Sequence, residues 1–408
     1  QPITPGVNDL SQREYDKTDL LTTLSNTTST ASSYIEYKRM KIIILKDNLK
    51  EGLNSVIRAV SENNNLPILK NILIKTFNNK IKIIATNLEV AITKIVSGKI
   101  IEEGAVTIPF SVLNGIISNL DSEKISLDSK GNSLILKTDN YEATIQSLNE
   151  EEFPIIPEIG NAKNHLKINT EVFNDAISKV INCAQISEIR PEISGVLFDY
   201  QISSLKLAAT DSFRLAEKTL FDKDFKADFI TGFKAIIPLK TIQEVPRVFR
   251  EGEMNIYFDS NQVLFKSEDL EIISRLIDGN FPDYDPIIPK TLETESIINK
   301  ESFFNAVRLV SNFSGKVNDI KLKSKEGKKV MEISSATQHL GENHYLIPIK
   351  TKGNDFEAVF NWRFLLEGLK NFNSEEILIG LNGDQRAAII KSQKDFSYFY
   401  ILMPIKNS

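Results

Sequence analysis

The chain has 408 residues, enough for two to four domains at roughly 100–200 residues each. Hydrophobic residues make up 41% and charged residues 25%, as in an ordinary globular protein, and 49 basic against 54 acidic side chains leave a net charge of -5. That balance excludes nucleic-acid binding through bulk positive charge, so any such contact needs a local basic surface. A single cysteine, Cys183, excludes an internal disulfide framework and Cys-rich zinc modules, and three histidines, His165, His339 and His344, leave little material for a His-based metal centre. No apolar run approaches the roughly 20 residues of a membrane span. No basic-then-apolar leader opens the chain, and the cysteine usage fits a reducing, cytoplasmic setting.

Residues 1–39 stand apart. Twelve of them are Ser or Thr, and no helical or strand period holds, so the segment buries too little apolar surface to offset its ordering entropy. It reads as a disordered extension, or alternatively as a tether carrying a partner motif. Met40 then opens Met40-Lys-Ile-Ile-Ile-Leu, a buried strand, and is expected to be the start of the folded protein.

One pattern recurs three times with a period near 125 residues. Each copy opens with a short strand and then a helix with an acid near its start: Asp47 before Leu49, Leu53 and Val56; Glu171 before Phe173, Ile177 and Val180; Glu301 before Phe303, Val307 and Val310. The acid stands two residues before the first apolar anchor, the next anchor follows four later and the last three after that, one stripe of a helix with the acid at its positive end. A second helix recurs at Pro109–Leu120, Pro238–Val245 and Asn361–Leu369, with proline suited to the first turn in two of them. Alternating strands with Asn/Asp/Gly turns follow each, reading as antiparallel meanders. Each copy therefore predicts two helices and about eight strands, an α+β class with helices on one face of antiparallel sheets. The boundaries fall at 40–158, 159–290 and 291–408. Phe153–Pro157 and Phe281–Pro289 join the copies as extended, proline-containing straps.

A search for catalytic chemistry finds no Walker loop, no GxGxxG, no Gly-x-Ser-x-Gly elbow and no nucleophile beside a histidine. Glu150-Glu151-Glu152 reads as a solvated loop, Asp211 as a turn cap, and Cys183 as a buried structural thiol. A repeat-built enzyme is disfavoured on this ground, and no metal or other cofactor is implied.

Several stretches resemble one family closely: Leu66-Pro67-Ile68-Leu69, Thr86-Asn87-Leu88-Glu89, Gly195-Val196-Leu197-Phe198, Ala209-Thr210-Asp211-Ser212-Phe213-Arg214-Leu215-Ala216, Ser274-Arg275-Leu276-Ile277-Asp278-Gly279-Asn280-Phe281-Pro282-Asp283-Tyr284, and Tyr400-Ile401-Leu402-Met403-Pro404-Ile405. With the threefold repeat, the chain from Met40 onward resembles the bacterial DNA sliding clamps, the beta subunits of the replicative DNA polymerase III holoenzyme. The resemblance implies the DNA clamp fold: three domains per chain, assembling head-to-tail as a homodimer into a ring with helices lining the hole. It implies a processivity factor and not an enzyme, one that encircles double-stranded DNA without sequence preference and tethers the polymerase catalytic subunit, the clamp loader and other clamp-binding-motif proteins. A clamp-like peptide-binding adaptor that does not close on DNA is the alternative.

The resemblance also implies sites. Family partners bind short motifs in a hydrophobic cleft, whose positions here are Ile193, Thr210, Ser212, Phe213, Arg214, Leu215, Pro282, Ile287, Asn361, Phe364, Ile401, Leu402, Met403, Pro404 and Ile405. An adaptable Met among apolar residues suits aliphatic and aromatic anchors, with Arg214 expected to fix orientation. The family's usual Gly-His is Ser212-Phe213 here, so Phe213 adds apolar area and Ser212 is expected to narrow the floor. The DNA-facing cations would be Lys50, Arg58, Lys179, Arg190, Lys240, Arg247, Arg308 and Lys370, with Arg250 and Arg363 also on or near the candidate helices; solvated helix faces are the alternative. The arginine that family members place before Leu66 is missing from Glu62-Asn63-Asn64-Asn65. The subunit interface would set Ala143 and Ile145 against Leu309 and Val310, residues that packing within each repeat's own core would equally explain.

Overall fold

The computed structural model describes residues 39–61, 65–159, 164–325 and 327–406; the expected extension before Arg39, and Asn63, lie outside them. Three runs of nine strands and two helices follow in the same order. The first holds β1 (Lys41–Leu45), α1 (Lys46–Val56), β2 (Asn71–Phe77), β3 (Lys80–Thr86), β4 (Val90–Val96), β5 (Gly98–Glu102), β6 (Ala105–Pro109), α2 (Phe110–Asn119), β7 (Lys124–Lys130), β8 (Ser133–Lys137) and β9 (Glu142–Gln146). The second holds β10 (His165–Asn169), α3 (Thr170–Val180), β11 (Gly195–Gln201), β12 (Ser204–Thr210), β13 (Arg214–Phe221), β14 (Phe225–Ala227), β15 (Phe233–Pro238), α4 (Leu239–Val248), β16 (Glu253–Phe258), β17 (Gln262–Lys266) and β18 (Leu270–Arg275). The third holds β19 (Thr294–Asn299), α5 (Lys300–Val310), β20 (Asp319–Lys325), β21 (Val330–Thr337), β22 (Gly341–Pro348), β23 (Lys350–Gly353), β24 (Glu357–Asn361), α6 (Trp362–Lys370), β25 (Glu376–Leu381), β26 (Ala388–Ser392) and β27 (Tyr398–Leu402). Nine strands per repeat replace the eight read from the sequence, because short strands such as β14 and β23 carry too few residues to show alternation.

Three of these helices start at an asparagine cap. The side chains of Asn169, Asn299 and Asn361 accept from backbone N–H groups of the first turns of α3, α5 and α6, each cap contributing about 1 kcal/mol. Pro109 and Pro238 stand one residue earlier than the first turn, at the N-cap, with φ of -55° and -54°. The anchors Leu49, Leu53 and Val56, and their counterparts on α3 and α5, are buried, at roughly 1.5–3 kcal/mol per large side chain.

Each repeat contributes a five-stranded half-sheet and a four-stranded one. The five-stranded halves run β5-β1-β7-β8-β9, β14-β10-β16-β17-β18 and β23-β19-β25-β26-β27; the four-stranded ones run β4-β3-β2-β6, β13-β12-β11-β15 and β22-β21-β20-β24. Two of these halves join across each repeat boundary. β18 pairs antiparallel with β4 and β27 with β13, making two continuous nine-stranded sheets. The proline straps cross these joints as expected: Ile156 and Ile159 pack with Ala91 and Ile273 over the first, and Phe281, Tyr284 and Ile288 pack on Leu215 and Ile401 over the second. One half of each kind remains unjoined, ending in the edge strands β9 and β22.

Candidate functional site

The second joint carries the residues singled out as a cleft. It is built on the β12–β13 turn. Thr210 Oγ1 donates to the Arg214 carbonyl (2.7 Å), and Asp211 Oδ1 accepts from the N–H groups of Phe213 (2.9 Å) and Arg214 (3.0 Å). Asp211 is thus the turn cap that its position suggested. Thr86 and Asn87 make the same bonds at the first joint. The turn needs a left-handed residue at its centre, and Ser212 takes φ +77° there, a strained conformation for a side chain other than glycine. Ser212 is exposed, and its Oγ accepts from Arg190 Nη1 at 2.9 Å.

Strand alternation splits the expected cleft residues between two faces. Leu215 pairs with Ile401 and Arg214 with Leu402 across the joint. Leu215 and Ile401 face outward into a cluster that Met403 packs against, whereas Leu402 belongs to the main helix-side core. The Met403 N–H donates to the Phe213 carbonyl at 2.8 Å, so the chain end continues the ladder past β27. Phe213 is 62% exposed and Ile287 47%, and with half-buried Met403 and Pro282 they leave an apolar rim around the joint. Ile193, Thr210 and Pro404 are buried, Asn361 is the cap of α6, and Ile405 donates its N–H to the Val359 carbonyl (2.7 Å).

Arg214 is not a free donor in this cleft. Its guanidinium lies on the helix side, over the Phe364 ring at 4.2 Å, bonded to Asp211 (2.9 Å), to the Asn182 carbonyl (2.6 Å) and to Glu367 of α6. It ties the second repeat to the third. Burial pushes the neighbouring Cys183 thiol up to about 12, which leaves it inert near neutral pH.

Tyr284 and Glu217 were not identified from the sequence. Buried Tyr284 donates to Glu217 Oε2 at 2.6 Å and fastens the strap to the outer face of β13. Burial and then the Glu217 carboxylate raise the Tyr284 phenol, keeping it a neutral donor. Glu217 occupies an outward position on a strand, a place where a carboxylate ordinarily meets water, so only the strap's aromatic residue hinted at its burial.

The proposed DNA-facing cations fall into three environments. Lys50, Lys240, Arg247, Arg308, Arg363 and Lys370 are exposed on α1, α4, α5 and α6. Arg58 and Arg250 follow α1 and α4 and, with Arg247, Lys94 and Glu51, line a cavity of about 500 Å³ on the helix side of the first joint. Glu244 tempers their charge, lying 3.6 Å from Arg58 and 2.7 Å from Arg247. One assignment is corrected. Lys179 is buried and bonded to Asp175 at 2.8 Å, because its position on α3 turns toward Asn371 of the third repeat. Arg190 is exposed but lies off the α-helices, beside the β12–β13 turn and paired with Glu192.

At the two unjoined edges, Leu309 is exposed on α5 and Ala143 is half-buried, but Ile145 and Val310 are buried within their own repeats. The last two therefore support the edges from beneath. Among the described residues, no group of three or more His, Cys, Asp or Glu could hold a metal ion, and no helix is long and apolar enough to cross a membrane.

The three repeats match three family models: DNA polymerase III beta subunit, N-terminal domain, over residues 40–157; the central domain over 167–283; and the C-terminal domain over 285–406. Similar curated proteins include the beta sliding clamp of Bacillus subtilis, 26% identical over 381 residues that cover 90% of this chain and 100% of the relative, and that of Staphylococcus epidermidis, 26% identical over 379 residues covering 90% and 99%. A crystal structure of the Bacillus subtilis DNA polymerase sliding clamp superposes with a TM-score of 0.86 at 25% identity, covering 91% of this chain and 100% of that one. The DNA polymerase III beta chain of Streptococcus pneumoniae gives 0.83 at 27% identity, covering 90% and 100%.

Proposed function

The chain belongs to the DNA polymerase III beta subunit family of sliding clamps, and from that premise we propose that two copies close head-to-tail into a ring around double-stranded DNA. Residues 40–158, 159–290 and 291–408 are its three domains. It acts without catalysis, as a processivity factor: polymerase catalytic subunit, clamp loader and other motif-bearing proteins dock on the outward cleft at the second joint, and encirclement keeps them at high effective concentration on the template. A replication role fits a cytoplasmic setting.

The carrying observation is a strand count. Both joints within the chain complete a nine-stranded sheet from one five-stranded and one four-stranded half. The two halves left over end in β9 and β22, and they sum to nine only when they come from different copies. Exposed cations on the helices supply weak, sequence-independent phosphate contacts, and a net charge of -5 is compatible with sliding because topology, not affinity, holds the DNA.

The test is solution mass together with retention on circular and linearised DNA. A dimer held on circles and lost from cut ends supports the ring. A monomer, or equal retention on both forms, leaves the open adaptor as the better reading. Docking is tested separately, with a short peptide carrying Gln and a terminal Leu-Phe anchor. Its expected affinity is roughly micromolar, about -8 kcal/mol.

A further inference from the structure

The internal repeat specifies more than which edges meet; it specifies their register. Equivalent positions can be counted along the ladders from the first residue of each helix. On the five-stranded edges, Ile272 pairs with Phe265, Tyr400 with Ile390 and Ala143 with Leu136, so Ile272, Tyr400 and Ala143 are equivalent. On the four-stranded edges, Ile92 pairs with Ala85, Ala216 with Ala209 and Asn343 with Ser335, which makes Ile92, Ala216 and Asn343 equivalent. The joints within the chain place Ile272 opposite Ile92 and Tyr400 opposite Ala216. We infer that the joint between subunits places Ala143 opposite Asn343 of the partner subunit, with Tyr141 opposite Tyr345 of the partner subunit and Glu142 opposite His344 of the partner subunit. This inference rests on the ring reading above and deepens it.

Hydrogen-bond parity provides a check that could have failed. In an antiparallel ladder, alternate residues exchange both backbone bonds with one neighbour and leave the next residue's groups pointing away. The Thr138–Tyr141 bond and the Ser147–Asn132 bond fix β9 so that Tyr141, Ala143 and Ile145 bond inward to β8. Glu142, Thr144 and Gln146 then present free N–H and C=O groups. On β22, the Ile349–Lys329 bond fixes Gly341, Asn343, Tyr345 and Ile347 as inward, leaving Glu342, His344 and Leu346 outward. The proposed register sets outward Glu142 against outward His344 and outward Thr144 against outward Glu342. A slip by one residue would place outward groups against inward ones and lose the ladder.

The side chains agree. Tyr141 and Tyr345 are 41% and 43% exposed on their open edges, and the register covers each with the other. The same register puts half-buried Ala143 opposite half-buried Asn343, so two small edge side chains face each other next to the tyrosine pair.

Paired cysteines test it in the full-length protein. Cys183 is the sole native thiol and is buried, so background coupling is low. Ala143→Cys with Asn343→Cys, and independently Tyr141→Cys with Tyr345→Cys, are expected to couple under mild oxidation and double the mass on a non-reducing gel, since both pairs occupy the close, non-hydrogen-bonded positions. The offset combination Ala143→Cys with Tyr345→Cys is expected to couple at least tenfold more slowly. If sedimentation shows a dimer but the offset combination couples faster, the register is overturned while the ring stands. If the protein sediments as a monomer and no combination couples, the ring reading itself fails and the register falls with it.

Discussion

Lys94 and Lys218 occupy the same position at the two joints within the chain, opposite Leu270 and Tyr398, yet their surroundings shift their pKa values in opposite directions. Lys94 is buried between Glu51, at 2.7 Å, and Asp269. Burial works to lower its pKa, but the bonds to Asp269 and Glu51 outweigh that and raise it. Lys218 faces Ser397 instead, and burial together with nearby Lys179 lowers it. Lys94→Met is expected to cost about 2 kcal/mol, the scale of charge-assisted hydrogen bonds. Lys218→Met is expected to change stability by less than about 1 kcal/mol. Urea midpoints at pH 7.5 decide it, and equal losses would contradict the assignment. The Lys94 contribution is fully present below the ordinary lysine range and fades only as pH climbs through the raised folded value.

Leu309→Glu is expected to give folded monomers, because the side chain is 53% exposed and leaves the repeat's own core untouched. Ile145→Glu is expected to unfold the first repeat instead, since Ile145 is buried there and an unpaired charge in that core costs several kcal/mol. Sedimentation and circular dichroism of the two variants separate the outcomes. A well-folded Ile145→Glu protein would show that its burial is dispensable.

Met403→Ala is expected to weaken the anchor peptide about tenfold, mostly through faster dissociation, with little change in melting temperature because Met403 is only half-buried. Removing everything after Leu402 is a harsher change. It breaks the Met403–Phe213 and Ile405–Val359 backbone bonds, so both peptide binding and the stability of the third repeat are expected to fall. Calorimetric titration paired with a thermal melt distinguishes them, and unchanged peptide affinity in both proteins would remove the cleft assignment.

Glu357, on β24, bridges Lys321 (2.9 Å) and Lys323 (2.5 Å) of β20. The bonds from Lys323 and Lys321 hold its carboxyl at about 2. A depressed carboxylate contributes stability above its unfolded pKa and loses it as pH falls through the folded value, so this contribution fades between about pH 4.5 and 2. The carboxylate is partly exposed, which screens it to less than about 1 kcal/mol at neutral pH. Glu357→Gln is therefore expected to lower the melting temperature slightly at pH 7 and by only a small fraction of that at pH 2. A difference undiminished between pH 7 and pH 2 would point to packing rather than charge.

Much of this architecture was legible in the chain. The stripe beginning at Leu49, Phe173 and Phe303 located three helices to within a residue, because an apolar face and an N-terminal acid are local signals. The alternating strands and polar turns after each second helix were legible because period-two alternation is a local signal as well. What escaped was decided by which face of a sheet a residue takes and what later covers that face. Arg214 and Leu215 are adjacent in sequence, and only the pleat sends one to the helices and the other to the cleft. Lys179 has the spacing of a solvated cation, and its burial depends on the third repeat, nearly two hundred residues away. Glu217 needed knowledge of the strap.

The joints also set a timetable. Val90 finds its strand partner in Ser274, and Arg214 finds its own in Leu402. On a ribosome adding roughly 5–20 residues per second, each four-stranded edge therefore waits on the order of ten to forty seconds before the strand that completes it exists. During that interval β4, and later β13, is a bare antiparallel template of the kind that captures a neighbouring chain. Synthesis that stalls within the second or third repeat leaves such an edge permanently open, so incomplete chains of this protein should be prone to co-aggregation on crowded polysomes.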